Sequence, residues 1–290
     1  MSTNEWVNLL NDLKYKKFYA GSDGFICLVD AMGNEQDIID AARISYSKGT
    51  ARVREDGALL RYLMRHRHTS PMEMCELKFL VRCPMDTWRQ WIRHRTANVN
   101  EYSTRYSEAI DSMAMTAANE WRLQSEINKQ GSGGCLPIEI GIVLSEDEQR
   151  FHRAARELYQ SRLAHGVARE QARKDLPLSN YTEAYWKIDL HNLMHFTKLR
   201  YDGHAQSEIR EFAEHMYQIL KQLYPRVMQA FDDYILNAHT FSAQEMEVLR
   251  DMVGTDRPVY LDIEFYRGKL TELGCTKREI TAFFKALELE

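Results

Sequence analysis

Glu76-Leu77-Lys78-Phe79-Leu80-Val81-Arg82-Cys83 sets Leu77, Phe79, Val81 and Cys83 against Glu76, Lys78, Leu80 and Arg82. Successive side chains of an extended backbone point to opposite faces, so this period of two predicts a strand with one covered side. Upstream, Phe25 to Val29 is a short apolar run, and downstream Tyr181 to Ile188 alternates again and is rich in aromatics. Elsewhere the rhythm is helical. Ile209, Phe212, Met216, Ile219, Leu220 and Leu223 recur at three and four residues, and Pro225 ends the run. Phe151, Ala154, Ala155, Leu158 and Arg162 predict another helix, opened by a Ser145-x-x-Glu148 capping box. Ser242-x-x-Glu245 and Thr276-x-x-Glu279 open short helices whose apolar residues, Val248 and Leu249, then Ile280, Phe283, Phe284 and Leu287, read as packing surface. Helices outnumber strands and no strand-helix-strand repeat occurs, so the expected class is α+β, helix-rich, with a small sheet. Gly131-Ser132-Gly133-Gly134 reads as a surface loop.

The chain has 290 residues, of which 44% are hydrophobic and 11% aromatic, enough apolar surface for a substantial core. No run approaches the roughly eighteen apolar residues of a membrane span, and the N-terminus lacks the basic start and apolar stretch of a signal peptide. A cytoplasmic protein without membrane contact is the expectation. Cys27, Cys75, Cys83, Cys135 and Cys275 are odd in number and far apart, which fits reduced thiols better than a disulfide framework or a zinc site.

The net charge of −4 disfavours nucleic acid as a partner. Yet Arg89, Arg93, His94, Arg95 and Arg105 lie within one stretch that holds a single acid, Glu101. That stretch starts with helix formers, interleaved with Trp88 and Trp91, and then passes Asn98 and Asn100, which favour a turn. Guanidinium forks bind phosphate and carboxylate oxygens bidentately and stay charged at any relevant pH. Ser103 adds a hydroxyl, and Gln90 can both donate and accept. The cluster therefore reads as a site for a small anionic ligand; the plainer alternative is a solvated charged face. Glycine-turn, P-loop, HExxH and nucleophile-elbow motifs are missing from the sequence. His191 and His195, four apart on an expected helix, could share a metal, but Asn192-Leu193-Met194 supplies no catalytic glutamate, and packing or cofactor contact is the expected role.

Arg93-His94-Arg95, seven residues and then Ser103 resembles the RHR-x7-S signature of flavin-dependent thymidylate synthases, the ThyX family. Gln90, Glu101, Arg105 and Tyr106 fall where that family has them. His68-x-Ser70-Pro71-x-Glu73, Arg173-x3-Pro177 with Tyr181-Thr182, and Arg200-x3-His204-Ala205-Gln206-x-Glu208-Ile209 resemble its remaining motifs, in order, from about Ile38 to Tyr224. The resemblance implies a family domain over 1–240, with a loop insertion at about 124–149, followed by a C-terminal helical extension over 241–290. It also implies a mostly antiparallel sheet and a homotetramer whose active sites draw on several chains.

The reaction so implied is conversion of dUMP to dTMP, with 5,10-methylenetetrahydrofolate as carbon donor and a hydride from FAD that NADPH has reduced. Carried onto matching positions, Ser70, Arg93, His94, Arg95, Glu101, Asp189, His191, His195 and His204 are expected at FAD. Gln90, Arg93, Glu101, Tyr102, Ser103, Thr104, Arg105, Arg173 and Arg200 are expected at dUMP. Arg200 would favour the N3-ionised pyrimidine, and His68 would sit beside flavin and folate; these two are the expected catalytic residues, and no metal is implied. Duller roles exist: Arg200 could cap a helix end, and Arg173 could pair with Asp175 or Glu170. No cysteine is marked as a low-pKa nucleophile, and Ser103 lacks a base partner. The chain departs from the family pattern at Met72, Asp189, His191 and His195, where aromatic, Asn, Arg and Asn residues are usual; an Asp cannot donate as an Asn does.

Overall fold

The structure is a computed structural model and describes residues 2–44, 56–126, 131–253 and 263–287. In chain order its elements are α1 (Thr3–Leu13), β1 (Lys17–Ala20), β2 (Gly24–Met32), α2 (Glu35–Arg43), α3 (Asp56–Arg65), β3 (Glu76–Pro84), α4 (Met85–Trp91), β4 (Asn98–Glu101), β5 (Arg122–Gln124) and β6 (Ser132–Cys135). There follow α5 (Ile138–Ala164), α6 (Arg169–Ala172), β7 (Tyr181–Asp189), α7 (Leu190–Arg200), α8 (Ser207–Leu223), α9 (Pro225–Phe231), α10 (Ala243–Val253), α11 (Ile263–Glu272) and α12 (Lys277–Ala286). The chain divides into two compact units, Met1–Leu236 and Asn237–Glu290.

The first unit is built on a five-stranded antiparallel sheet ordered β1-β2-β3-β7-β4. Strand β3 lies at its centre with the expected register: Leu77, Phe79, Val81 and Cys83 are buried, and the residues between them are half-buried. Across the ladder Phe79 faces Trp186 and Leu77 faces Ile188, so the covered faces of β3 and β7 coincide. Helix α8 lays Ile209, Phe212, Met216, Ile219, Leu220 and Leu223 into the same core. Each such side chain, fully buried, contributes about 1.5–3 kcal/mol.

Trp91, at the last turn of α4, is fully buried and is the hub of this core. Its ring meets Trp186 at 5.4 Å, Phe196 at 4.9 Å and Phe212 at 5.6 Å between centroids, tying α4 to β7, α7 and α8. Near the start of α2, Gly33 takes a φ of +80°, and an added Cβ there would meet Cys75 Sγ at 2.9 Å. Glycine is required at that turn by both conformation and space.

Three local expectations are corrected. Asn98–Glu101 forms an edge strand on β7 instead of a turn, because backbone pairing outweighs the turn preference of asparagine. Ser132–Cys135 is not an open loop but pairs with Arg122–Gln124, and the stretch about 124–149 also contains the first three turns of α5. Ser145 and Glu148 lie inside α5, so they cap nothing. Ser145 Oγ donates to the Thr116 carbonyl at 2.7 Å, and Glu148 accepts from the Thr116 amide at 2.7 Å, stapling α5 to the segment before β5.

In the second unit, Thr276 caps α12 with the expected box to Glu279, and Ile280 and Phe284 are buried while Phe283 is exposed. Ala243 begins α10 as the Ser242 motif predicts; the side chains of Glu245 and Val248 lie outside the described residues.

Candidate active site

The turn after α4 carries the arginine cluster. Helix α4 stops at Trp91, and the His94 amide closes the turn onto the Trp91 carbonyl at 3.0 Å. Arg93 and Arg95 are exposed, and neither has an ion-pair partner among the described residues. His94 between them is half-buried. Its ring lies 4.8 Å from Phe196 and 6.1 Å from His195, and its Nε2 accepts a hydrogen bond from Arg200 Nε at 3.0 Å. Burial, then the charge of Arg200, then His195, pushes the His94 pKa down to about 4. The imidazole is therefore neutral, and because Nε2 accepts, Nδ1 carries the proton.

Arg200 closes α7. Burial lowers its pKa, yet an arginine starts so high that it stays charged. Among the described residues its terminal nitrogens make no hydrogen bond, so the capping alternative fails and four N–H donors remain for a ligand. His195, on the same helix, is exposed and has its pKa lowered by burial, His191 and Lys198. Asp189 caps α7: one carboxylate oxygen accepts from the Asn192 amide at 2.9 Å and the other from Asn192 Nδ2 at 2.7 Å. A cap needs only an acceptor, which is why an Asp suffices here.

A cavity of about 280 Å³ opens beside these groups, lined by Glu76, Arg95, Asn98, Lys187 and Asp189 with Thr96, Ala97 and Ile188. Asn98 and Lys187, facing residues of β4 and β7, escaped the sequence reading, as did the contact between Gln90 and Gln206, whose side chains are hydrogen-bonded. The outward register of Lys187 on β7 was the available signal.

A second group lies beyond β4. Glu101 accepts from Thr182 Oγ1 at 2.8 Å, and the Tyr102 amide donates to the Glu183 carbonyl at 2.7 Å, which pins the start of the loop to β7. Ser103 turns the chain, its carbonyl accepting from the amides of Tyr106 and Ser107. Arg173 donates to Thr104 Oγ1 and pairs with neither Asp175 nor Glu170. Asp175 belongs to Arg162, and Glu170 to Arg105 at 3.2 Å. The Arg105 and Glu170 side chains are 58% and 54% exposed, so their pair contributes little.

The remaining candidates share no hydrogen bond, ion pair or ring contact with these groups among the described residues. His68 and Ser70 are exposed on the turn after α3, where His68 neighbours Tyr62 at 5.7 Å and His66 at 6.4 Å. His204, 82% exposed, is held by Asp202 at 2.8 Å. Met72 is buried. Among the described residues no group of three or more His, Cys, Asp or Glu side chains could hold a metal ion, and no helix is long and apolar enough to cross a membrane.

A larger cavity of about 390 Å³ contains none of the expected site residues. Asp86, Glu120, Glu148, Glu208 and Glu211 line it, with Arg122 as the one cation in the lining, an acidic surface that disfavours phosphate.

The nearest class is defined by fold. The chain superimposes on a UMP/dUMP methylase, PolB from Streptomyces cacaoi bound with 5-Br dUMP, with a TM-score of 0.66 and 33% identity, over 75% of this chain and 98% of that one. Residues 27–226 match the family described as Thymidylate synthase complementing protein. A flavin-dependent thymidylate synthase from Ehrlichia ruminantium (strain Gardel) is 46% identical over 244 residues, covering 84% of this chain and 82% of the relative. One from Rickettsia conorii is 40% identical over 280 residues, covering 92% and 95%. The chain belongs to the flavin-dependent thymidylate synthase family, and the fold expected from its motifs is the one observed.

Proposed function

We propose that this enzyme makes dTMP from dUMP by reductive methylation, with 5,10-methylenetetrahydrofolate as carbon donor and FAD, reduced by NADPH, as the source of hydride. The observation that carries the reading is Arg200: a half-buried guanidinium, anchored through Nε on a neutral ring, with its terminal nitrogens uncommitted among the described residues. The C5 carbon of uracil is a weak nucleophile. A fixed cation beside the ring lowers the energy of its N3-ionised, enolate-like form and so raises electron density at C5. Arg173 and Arg105 grip the nucleotide phosphate, with Thr104 holding Arg173 in place and Glu170 giving up Arg105 as the phosphate arrives. Gln90 and Ser103 complete the polar contacts, as do Glu101 and Tyr102 at the end of β4.

The thiols support a route without a cysteine nucleophile. Cys75 is pushed up to about 12 by burial and by Asp37 and Glu35, and burial raises Cys27 and Cys83 as well. None of the three is a thiolate at neutral pH.

The residues present fit an anionic dinucleotide cofactor. Arg93 and Arg95 are exposed without carboxylate partners among the described residues, and Arg95 and Asn98 border the smaller cavity with donors, beside Lys187, which is paired with Glu76 at 3.0 Å. FAD, once reduced, supplies the hydride; Arg93, Arg95, His94 and His195 would hold it, together with His191 and His204. A homotetramer whose active sites draw on several chains belongs to the same reading.

Purified protein is expected to be yellow, with a flavin spectrum that dUMP perturbs and a turnover that chelators leave unchanged. Arg200→Ala is expected to keep flavin and lose nearly all dTMP formation. Retained turnover would remove Arg200 from the reaction, and failure to retain either FAD or dUMP would end the reading.

A further inference from the structure

Phe196 and Arg200 stand one helical turn apart on α7, so they present one face, and that face meets His94 twice. The Phe196 ring packs against the imidazole at 4.8 Å, and Arg200 Nε donates to its Nε2 at 3.0 Å. On its other side Phe196 packs against Trp91 at 4.9 Å, and Trp91 accepts the His94 amide through its carbonyl. The imidazole is thus fixed at its backbone and at its ring by one buried aromatic pair. Residues 106 apart in sequence meet at the one hydrogen bond that the guanidinium makes among the described residues.

We propose that His94 is a positioning residue for Arg200: it anchors the guanidinium through an uncharged acceptor, leaving the full positive charge for the bound pyrimidine. The usual anchor for a half-buried arginine is a carboxylate, which accepts more strongly but cancels the charge that the reaction needs. A protonated imidazole could not accept at all. Burial and the neighbouring cation keep the ring neutral, so the geometry and the charge state serve the same end. With Nε2 committed to Arg200, Nδ1–H is the group His94 has left to offer a cofactor. The inference rests on the role given to Arg200 above.

The test uses the flavin-loaded enzyme and measures flavin content, dUMP affinity and kcat for His94→Gln, His94→Glu, His94→Phe, Arg200→Ala and the double variant His94→Phe/Arg200→Ala. Gln restores a neutral acceptor and is expected to keep kcat within about threefold. Phe fills the ring's place without an acceptor, and losing a hydrogen bond to a charged group is expected to lower kcat about ten- to hundredfold at saturating FAD and dUMP. Glu anchors but neutralises, and is expected to fall at least as far as Phe. At saturating FAD, which offsets the loss of the Nδ1–H contact to the cofactor, the double variant is expected to be no slower than Arg200→Ala alone, because the imidazole acts on turnover through the arginine. Equal kcat for the Gln and Glu variants, multiplying losses in the double variant, or a Phe defect cured by excess FAD would each overturn the proposal. If His94→Phe fails to fold, the near-isosteric Gln and Glu pair still decides it. Undiminished turnover in Arg200→Ala would sink the role of Arg200 itself, whereas an inactive Arg200→Ala beside a fully active His94→Phe would sink only the positioning.

Discussion

Replacing Asp189 by alanine removes two hydrogen bonds at the first turn of α7, those from the Asn192 amide at 2.9 Å and from Asn192 Nδ2 at 2.7 Å. Loss of an N-cap acceptor costs about 1–2 kcal/mol. Asp189→Asn keeps an oxygen for the Asn192 amide, and the Asn192 side chain can turn over to accept from the new amide group. Only the attraction between the carboxylate and the helix dipole is then lost, about 0.3–1 kcal/mol. Equilibrium urea unfolding of the flavin-saturated protein separates the two. With a slope of about 3 kcal/mol per molar, the alanine variant should unfold about half a molar earlier, with the slope unchanged, and the asparagine variant close to wild type. Asp189 also borders the smaller cavity beside Arg95, so removing its negative charge should leave an anionic flavin held at least as well. Equal midpoints for the alanine and wild-type proteins would refute the capping role. Flavin loss in Asp189→Asn at unchanged stability would show that the carboxylate serves the ligand instead.

In thiol titration of the native protein, exposed Cys135 is expected to react fast, while buried Cys27, Cys75 and Cys83 should stay silent until unfolding; rapid modification of Cys75 would contradict its raised pKa. His94 binds a proton at about 4 when folded and at 6.5 when unfolded, so between those values the unfolded chain holds more protons and stability must fall as pH drops. His152 and His195 shift the same way, and a urea midpoint that stays flat from pH 7 to pH 5 would rule the coupling out. Gly33→Ala forces a side chain into a φ of +80° and onto Cys75 Sγ, and should cost about 1–3 kcal/mol of stability; a neutral result would mean that the turn relaxes.

The strands β3 and β7 and the helix α8 were legible because each has one covered side, and burial on one side writes a period into the letters. Strand β4 carried no such mark. All four of its residues are exposed, so nothing but backbone pairing with β7 makes it a strand, and pairing leaves no compositional trace. Ser145 and Glu148 have the letters of a cap but spend their side chains on Thr116, a partner some thirty residues earlier that local spacing cannot reveal. The same holds for the site. The residue types suited to an anionic ligand announced themselves, and so did the segments that carry them. The bond between Arg200 and His94 and the share of Lys187 in the cavity depend on how distant segments meet.

Strand β4 also acts as a ruler. It spans the interval between the turn that carries Arg93 and Arg95 and the loop that carries Ser103, clamped along its length to β7 from Asn98 opposite Lys187 to Glu101 opposite Ala184. A strand advances in steps of about 3.3 Å and reverses facing at each step. Substitutions at Val99 can therefore drift freely, whereas a single inserted or deleted residue would turn Glu101 away from Thr182 and shift Ser103 by a full step. Length, more than composition, is what this short segment has to conserve as such enzymes diverge.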